Sequence, residues 1–451
     1  MEQPLSSAAV SNRNKLRLVW ITALAGSFVL CIVAIFRGGY VGPDYFTHLM
    51  RFVEWPKIFD FSATNPPGYF LLGRGCLKIF GETNRFLYVV PAIQAGFNTL
   101  ALGWFALFTE RRFRSPIIHT SLVLFLAFLP ARLIHSTVLG ADCTTIPAFM
   151  FILFSLDKLL SVDGLTIRNS LYLAASLTVA VSLKYTFMAL LPAIFVILVV
   201  LAARRSWGIT RFITVCFISL FAASILSVSS IWMSKQVHGY NTEKHWIQDG
   251  TGNDMNFRDI FSVKWADREL FRAPQCFKQT IAEAHVHSYL GLAHYGIFTD
   301  PMNLFQDLNV PQVFGGLMGP DQKERSPSKT PLMIASMSVG VIWTVCAVIG
   351  TVFALFQAAK NLWSGRLERE DITIILGTAF FLIIFLSLPF VFSAALHGYW
   401  TPRLILPSLV SFSLAGFLFI ERKIAKGSRP IAFIVFGLVA IQSTIEILML
   451  T

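Results

Sequence analysis

Long runs of apolar residues follow one another along almost the whole chain, and they limit what it can fold into. Most of the runs extend for about 17–25 residues, the length with which an α-helix crosses the hydrocarbon core of a bilayer. Of 451 residues, 55% are hydrophobic and only 14% are charged, whereas soluble domains average about 25% charged residues. The sequence therefore predicts an all-α, polytopic membrane protein.

About eleven membrane-spanning helices are predicted from these runs. The first run is too long for the apolar part of a signal peptide and lacks a small-residue cleavage site, so we expect it to be retained. The predicted spans cover residues 17–36, 86–108, 115–136, 144–160, 170–183, 186–203, 211–233, 332–357, 372–391, 404–420 and 430–449.

Basic residues cluster before the first span and after the second, sixth, eighth and tenth spans, and they predict the orientation. Loops rich in Lys and Arg stay in the cytoplasm, so the N-terminus is predicted to be cytoplasmic. The net charge of +12 is explained by this topology, and nucleic acid is not predicted as a partner. The clusters lie near residues 13–17, 111–114, 204–211, 360–369 and 422–429.

Two long loops, residues 37–84 and 234–330, then fall on the outer side. They divide the chain into a transmembrane module (1–233), a small outer domain (234–330) and a C-terminal set of helices (331–451). Six scattered cysteines without a CxxC motif give little support for a disulfide framework or a zinc site. The outer loops hold no Asn-x-Ser/Thr acceptor, which suits a bacterial inner membrane.

The first outer loop carries charged residues at helical spacing. Asp44, His48 and Arg51 share one stripe, opposite the apolar Phe46, Leu49, Met50 and Val53. This pattern predicts a short helix lying in the membrane interface. A second interfacial helix is predicted from Pro66, with Arg74 and Lys78 forming a basic stripe. The two helices either anchor the protein among headgroups or carry a site.

Other charged residues are predicted at the outer ends of spans. Ionised groups near the bilayer centre cost roughly 2.5–3.5 kcal/mol each, so they tend to be buried, paired or functional. Singly, Lys184 or Arg403 can snorkel to headgroups and Asp142 can cap a helix. Together they favour a site in which cations hold a membrane-borne phosphate and a carboxylate takes a proton. The residues concerned are Arg132, His135, Asp142, Lys184 and Arg403.

Five segments resemble the polytopic GT-C glycosyltransferases that use polyprenyl-phosphate sugars. This branch includes protein O-mannosyltransferases, aminoarabinose transferases of lipid A and rhizobial lipopolysaccharide galacturonosyltransferases. The resemblance covers about residues 15–233 and 332–420, and it implies a GT-C fold. The segments are GPDYFTHL, NPPGYFLL, LGADCTTIPAFMF, LKYTFMALLP and YWTPRLILP.

The resemblance implies roles for individual residues. Asp44 would be the general base that activates the acceptor, and Asp142 would be the second acidic residue, which shapes the site or binds a divalent cation where one is used. Residues facing the lipid-linked phosphate would be Lys184, Arg403 and Arg74. Supporting residues would be His48, Arg51, Tyr69 and Arg132.

The implied reaction is an inverting transfer of a sugar from a polyprenyl-phosphate donor at the outer face of the inner membrane. The acceptor is an envelope glycan, a lipid such as lipopolysaccharide, or a protein. Tyr45 follows Asp44 here, whereas protein O-mannosyltransferases commonly have Asp followed by Glu, so a protein acceptor is less favoured. Membrane lipids are the remaining expected partners.

Two other classes stay open. An O-antigen polymerase or ligase also has many spans and a large outer loop, and a transporter or flippase would place charged or Gly/Pro-broken positions at mid-membrane. The outer domain resembles no known family. Its Trp246, Trp265, Tyr289 and Tyr295 either form its core or stack on sugars, and its His285, His287 and His294 give weak support for a metal site.

Overall fold

The computed structural model describes residues 7–37, 52, 67–81, 84–161, 164–238, 294, 296–299, 330–391 and 405–451. These residues are almost entirely helical, and no strand occurs among them. The predicted class, an all-α polytopic membrane protein, is confirmed.

Thirteen α-helices lie in the described ranges. They are α1 Ser7–Phe36, α2 Pro67–Phe80, α3 Asn84–Thr109, α4 Pro116–Phe128, α5 Pro130–Thr137, α6 Thr145–Leu160, α7 Ile167–Leu183, α8 Leu190–Arg204, α9 Ile209–His238, α10 Thr330–Trp363, α11 Arg369–Val391, α12 Leu406–Phe419 and α13 Arg429–Leu450. Short 3₁₀ segments at Glu110–Arg112, Ala141–Thr144 and Tyr185–Ala189, and a π-helical turn at Ile420–Ala425, join some of them.

Helices occupy all eleven predicted runs. By length and composition, seven of the described helices can cross a membrane, or eight if the bent pair α4–α5 counts as one span. A multi-pass membrane protein follows from this observation. The full count of eleven spans and the GT-C fold stay predictions.

The third predicted span is broken rather than continuous. Helices α4 and α5 meet at an angle of 46°, and the break falls at Leu129, directly before Pro130. Proline cannot donate the backbone hydrogen bond that would continue α4. The Arg132 guanidinium donates from Nη1 to the carbonyl oxygen of Ala127 over 3.0 Å, so it satisfies an acceptor that the break leaves open.

The arginine-rich ends of the helices meet at one end of the bundle, which we call the basic end. Arg17 contacts Glu110 over 2.6 Å, and Arg112 contacts Glu370 over 2.8 Å. The predicted clusters of basic residues therefore share one end. Further pairs at the basic end join Arg369 with Asp157 and Arg422 with Glu370.

At the opposite end of the bundle, which we call the far end, Arg37 after α1 donates to the carbonyl of Thr451 after α13 over 3.4 Å.

A short part of the predicted outer domain lies inside the bundle. His294 Nε2 faces the carbonyl oxygen of Met337 at 3.1 Å, and its Nδ1 faces Thr344 Oγ1 at 3.2 Å. Both partners belong to α10. The ring of Phe298 lies 6.3 Å from that of Phe125 in α4 and is 2% exposed. Residues 294 and 296–299 are thus packed between membrane helices rather than at the surface.

Glycines bring α10 and α12 unusually close together. A Cβ atom on Gly350 would lie 2.4 Å from the carbonyl oxygen of Ala415, and one on Gly416 would lie 3.0 Å from Cα of Ala347. Small residues allow such close approach, and the van der Waals packing that results is a main source of attraction between helices in lipid. The two backbones touch because neither contact residue carries a side chain.

Gly350→Ala should therefore destabilise the protein. The added methyl group overlaps the Ala415 carbonyl, so the two helices must separate, and we expect the melting temperature to fall by several degrees. Gly437→Ala in α13 is the matched control, since a Cβ there meets no atom within 4 Å. Thermal unfolding of both variants in detergent measures the difference. An equal effect of the two substitutions would contradict the close crossing.

Candidate functional site

Five of the predicted site residues are described by the structure: Tyr69, Arg74, Arg132, Asp142 and Lys184. The remaining four, Asp44, His48, Arg51 and Arg403, lie outside the described residues, as do Trp246, Trp265, Tyr289, Tyr295, His285 and His287.

Asp142 and Lys184 form a buried ion pair. Lys184 Nζ contacts Asp142 Oδ1, and the two side chains are only 11% and 12% exposed. The pair joins residues 42 positions apart in the chain. Lys184 is thus buried against an acid and does not extend towards lipid headgroups.

The backbone places Lys184 at the far end of the bundle. Helix α7 ends at Leu183, and Lys184 adopts extended angles (φ −152°, ψ 125°). Its N–H donates to Ala180 over 2.9 Å, and its carbonyl accepts from the Phe187 N–H over 3.2 Å. The chain turns at Lys184 from α7 into the 3₁₀ segment that leads to α8. The Lys184 side chain points into the bundle, where it meets Asp142.

Asp142 is held by a 3₁₀ turn that follows the broken span. The Thr145 hydroxyl donates to the Asp142 carbonyl over 2.7 Å. The neighbouring Cys143 is held on both sides, since its Sγ donates to Gly140 over 2.8 Å and its carbonyl accepts from Asn98 Nδ2. Helix α6 begins after Thr144 without a side-chain cap at that residue.

Tyr69 lies beside this pair. Its hydroxyl oxygen accepts a hydrogen bond from Gln94 Nε2 over 2.9 Å, and the Gln94 carbonyl accepts from Asn98 Nδ2 over 3.3 Å. Burial raises the pKa of Tyr69 well above its ordinary value; the hydrogen bond from Gln94 lowers it in part, and the nearby Asp142 carboxylate raises it. The phenol therefore stays neutral and can donate a hydrogen bond at any physiological pH.

Helix α2 closes over the end of α7. A Cβ atom on Gly68 would lie 2.7 Å from the carbonyl oxygen of Ser182, two residues before Lys184. Phe52, the one described residue of the stretch 38–66, is fully buried, and its ring lies 5.4 Å from that of Tyr69. The first outer loop is thus fastened next to the ion pair.

Arg132 makes a different set of contacts. Its guanidinium is buried and donates to Ser27 Oγ (3.1 Å) in α1 and to Thr99 Oγ1 (2.9 Å) in α3, besides Ala127. All of these partners are neutral. Within the described residues Arg132 therefore ties the broken span to its neighbours and is not paired with Asp142.

Arg74 is partly buried and Lys78 is exposed, one helical turn apart on α2. Helix α2 thus lies where the second short helix is predicted. Its position in the membrane interface stays a prediction.

Sequence reasoning did not identify Gln94 and Asn98. Both are buried polar residues in an apolar helix, four positions apart and therefore on one face. That spacing was a usable signal, because polar side chains inside a membrane helix tend to face protein rather than lipid.

No group of three or more His, Cys, Asp or Glu side chains that could hold a metal ion occurs in the described ranges. The divalent cation remains a prediction. The chain matches no known protein-family model, and a search of curated proteins finds no significant similarity.

At the far end of the bundle, the Lys184 ammonium group is held by the Asp142 carboxylate. The neutral phenol of Tyr69 and the side-chain amides of Gln94 and Asn98 lie nearby. An ammonium group has three donors, and the contact with Asp142 uses one. Lys184 can thus bind an anion while Asp142 fixes its position. This set of groups suits the binding of a phosphate better than covalent catalysis, since the residues named here include no activated nucleophile.

Asp142→Asn should destabilise the protein strongly. It leaves the Lys184 charge buried without its acid, and breaking a buried pair in this way costs about 3–5 kcal/mol. Asp142→Asn combined with Lys184→Met should recover much of that loss. Unfolding of wild type, Asp142→Asn, Lys184→Met and the double variant in detergent gives the coupling between the two residues.

The matched control is Asp157→Asn at the basic end. Asp157 pairs with Arg369, whose side chain is 44% exposed, so we expect an effect within about 1 kcal/mol. If Asp142→Asn were equally mild, the ion pair would not be the buried contact described above.

Proposed function

We propose that this protein is an integral membrane glycosyltransferase that transfers a sugar from a polyprenyl-phosphate donor to an envelope glycan, lipid or protein. The observation that carries the proposal is the buried Asp142–Lys184 pair, which lies beside the fastening point of the first outer loop. It supplies a fixed cation for the donor phosphate, and it lies next to the loop that contains Asp44.

The proposed reaction is a single displacement. The Asp44 carboxylate takes the proton from an acceptor hydroxyl, and the hydroxyl oxygen bonds to the anomeric carbon of the sugar. The bond between that carbon and the phosphate oxygen breaks, and the polyprenyl phosphate leaves with the electron pair. Attack from the face opposite the phosphate inverts the anomeric configuration.

Positive charge at the leaving phosphate lowers the barrier because negative charge grows there. Lys184 takes this role with the two ammonium hydrogens that Asp142 does not occupy, and Arg74 and Arg403 are proposed to assist. Asp142 is then a positioning residue for Lys184. Tyr69 donates a hydrogen bond from its neutral hydroxyl, and His48, Arg51 and Arg132 support the surrounding segments.

The link between Asp44 and the pair runs through Phe52. Phe52 follows Asp44 by eight positions in the sequence and packs against Tyr69, whose pKa responds to the charge of Asp142. We propose that the loop, which is fastened at Phe52, brings Asp44 to the ion pair. A base on an untethered loop would lose much of the advantage of fixed geometry.

The proposed location is the bacterial inner membrane, with the basic end in the cytoplasm and the far end in the periplasm. Lys and Arg are retained on the cytoplasmic side, and the basic clusters share one end of the bundle. A lipid-linked donor suits this orientation, since nucleotide sugars are cytoplasmic and the proposed site is on the other face.

Asp44→Asn should reduce sugar transfer by about 10²–10⁴-fold, since it removes the general base. Membranes that contain the protein, and that also supply its acceptors, would be given a panel of polyprenyl-phosphate sugars, and transfer of the sugar from the donor would be followed with and without EDTA. Asp60→Asn, in the same loop, is the control and should keep wild-type turnover.

Equal turnover by wild type and Asp44→Asn would exclude Asp44 as the base. If wild type released sugar from none of the donors, the proposed activity would be wrong, and the polymerase, ligase and transporter alternatives would be tested next. Loss of turnover in EDTA would show that the reaction requires a divalent cation.

Orientation can be measured by labelling single cysteines. Lys78 on α2 and Arg366 between α10 and α11 are both exposed, and they lie at the far and basic ends. In a background in which all six native cysteines are replaced by serine, Lys78→Cys should react with a membrane-impermeant maleimide once the outer membrane is permeabilised. Arg366→Cys should react only after the inner membrane is broken, and the reverse pattern would invert the topology.

A further inference from the structure

Helix α13 buries three adjacent polar residues near the far end of the bundle. Gln442, Ser443 and Glu446 are 0%, 4% and 0% exposed. At 100° per residue, the three positions fall within an arc of about 100°, so they share one helix face. This face meets Ser336 of α10. The cluster is separate from the Asp142–Lys184 site.

The hydrogen bonds of Ser336 fix the orientation of the Gln442 amide. Ser336 Oγ donates to the carbonyl oxygen of Phe298 over 2.7 Å, and a carbonyl can only accept. Ser336 Oγ must then accept from Gln442 Nε2, which lies 2.9 Å away. The same nitrogen lies 2.7 Å from Glu446 Oε1 and 3.3 Å from the Ser336 carbonyl. The amide NH₂ thus faces three acceptors, and Oε1 of Gln442 is turned elsewhere.

Three buried oxygen atoms of this cluster have no hydrogen-bond partner in the described part of the chain. They are Gln442 Oε1, Ser443 Oγ and Glu446 Oε2. Buried polar atoms in folded proteins are almost always satisfied, and each of these three, which lie on one helix face, therefore needs a partner that the described residues do not supply.

Neither protonation state of Glu446 satisfies the cluster on its own. If the carboxyl group is protonated on Oε2, its hydrogen has no acceptor within reach among the described residues. If it is ionised, its one contact in these residues is the amide of Gln442, and a buried negative charge is left without a positive partner. A bound cation supplies what both states lack.

We propose that Glu446, Gln442 and Ser443 bind a sodium ion. One carboxylate balances a single positive charge, whereas a divalent ion would leave a net charge buried in the bundle. Carboxylate, amide and hydroxyl oxygens are ligands that hard cations prefer. Oxygens that share an ion need not hydrogen-bond with one another, which agrees with the three unsatisfied atoms.

The ion would also fasten the buried part of the second outer loop. It holds Glu446 and Gln442 in place, Gln442 positions the Ser336 hydroxyl, and that hydroxyl binds the Phe298 carbonyl. Sodium binding should therefore stabilise the docking of residues 296–299 between α4 and α10. This effect does not depend on sugar transfer.

The test is thermal unfolding of the full-length protein in detergent, with sodium chloride replaced by choline chloride at constant ionic strength. A ligand that binds only the folded state raises the melting temperature, and we expect a rise of about 2–4 °C at saturating sodium. Glu446→Gln should abolish the rise. Ser443→Ala, which removes one neutral ligand, should shift the sodium midpoint upward and keep the rise.

Glu421→Gln is the matched control at the basic end. Glu421 is also a buried carboxyl, but it accepts the Ser115 N–H over 2.7 Å, and burial raises its pKa while that N–H lowers it. This variant should keep the full sodium response. Equal melting of wild type in sodium and choline would overturn the proposal, as would a sodium response retained in Glu446→Gln. A response to pH alone would assign a protonated carboxyl instead.

Discussion

The ion pair between Asp142 and Lys184 is the contact around which the far end of the bundle is arranged. Two opposite charges can stay in a place with little water only if they hold each other. Each partner needs a local backbone that differs from a continuous membrane helix. The 3₁₀ turn at Ala141–Thr144 provides it for Asp142, and the extended residue between α7 and the following 3₁₀ segment provides it for Lys184. Tyr69 lies near enough to Asp142 to respond to its charge, and Phe52 packs on Tyr69.

Much of the helical fold could be predicted from the sequence because lipid allows few alternatives. The run at 170–183 corresponds to helix Ile167–Leu183, with the same final residue. The break inside the third run was missed, although Pro130 signals it. An unbroken apolar pattern does not show that the Arg132 side chain turns back to the Ala127 carbonyl, five residues earlier. That depends on the packing of α1 and α3 against α5, where Ser27 and Thr99 provide the acceptors for Arg132.

The site was predictable in its residue types and not in its partnerships. Charged residues at span ends signalled Asp142 and Lys184, since lipid makes unpaired charges costly. The same reasoning grouped Arg132 with them, whereas the structure gives it neutral partners. A guanidinium with its donors spread over hydroxyl and carbonyl oxygens can be buried without an acid. Charge alone therefore does not distinguish a residue that holds helices together from one that can meet a ligand.

The two ends of the bundle use charge in opposite ways. At the basic end, arginines pair with acids across neighbouring helices, and several of the arginines remain partly exposed, such as Arg17 at 43%. Such pairs add little stability because water competes for them. At the far end, Lys184 and Glu446 lie out of water, so each must be matched by a specific partner. A ligand that offers the right charge gains most where water cannot compete, and for this reason both proposed binding sites, for a phosphate and for sodium, lie at the far end.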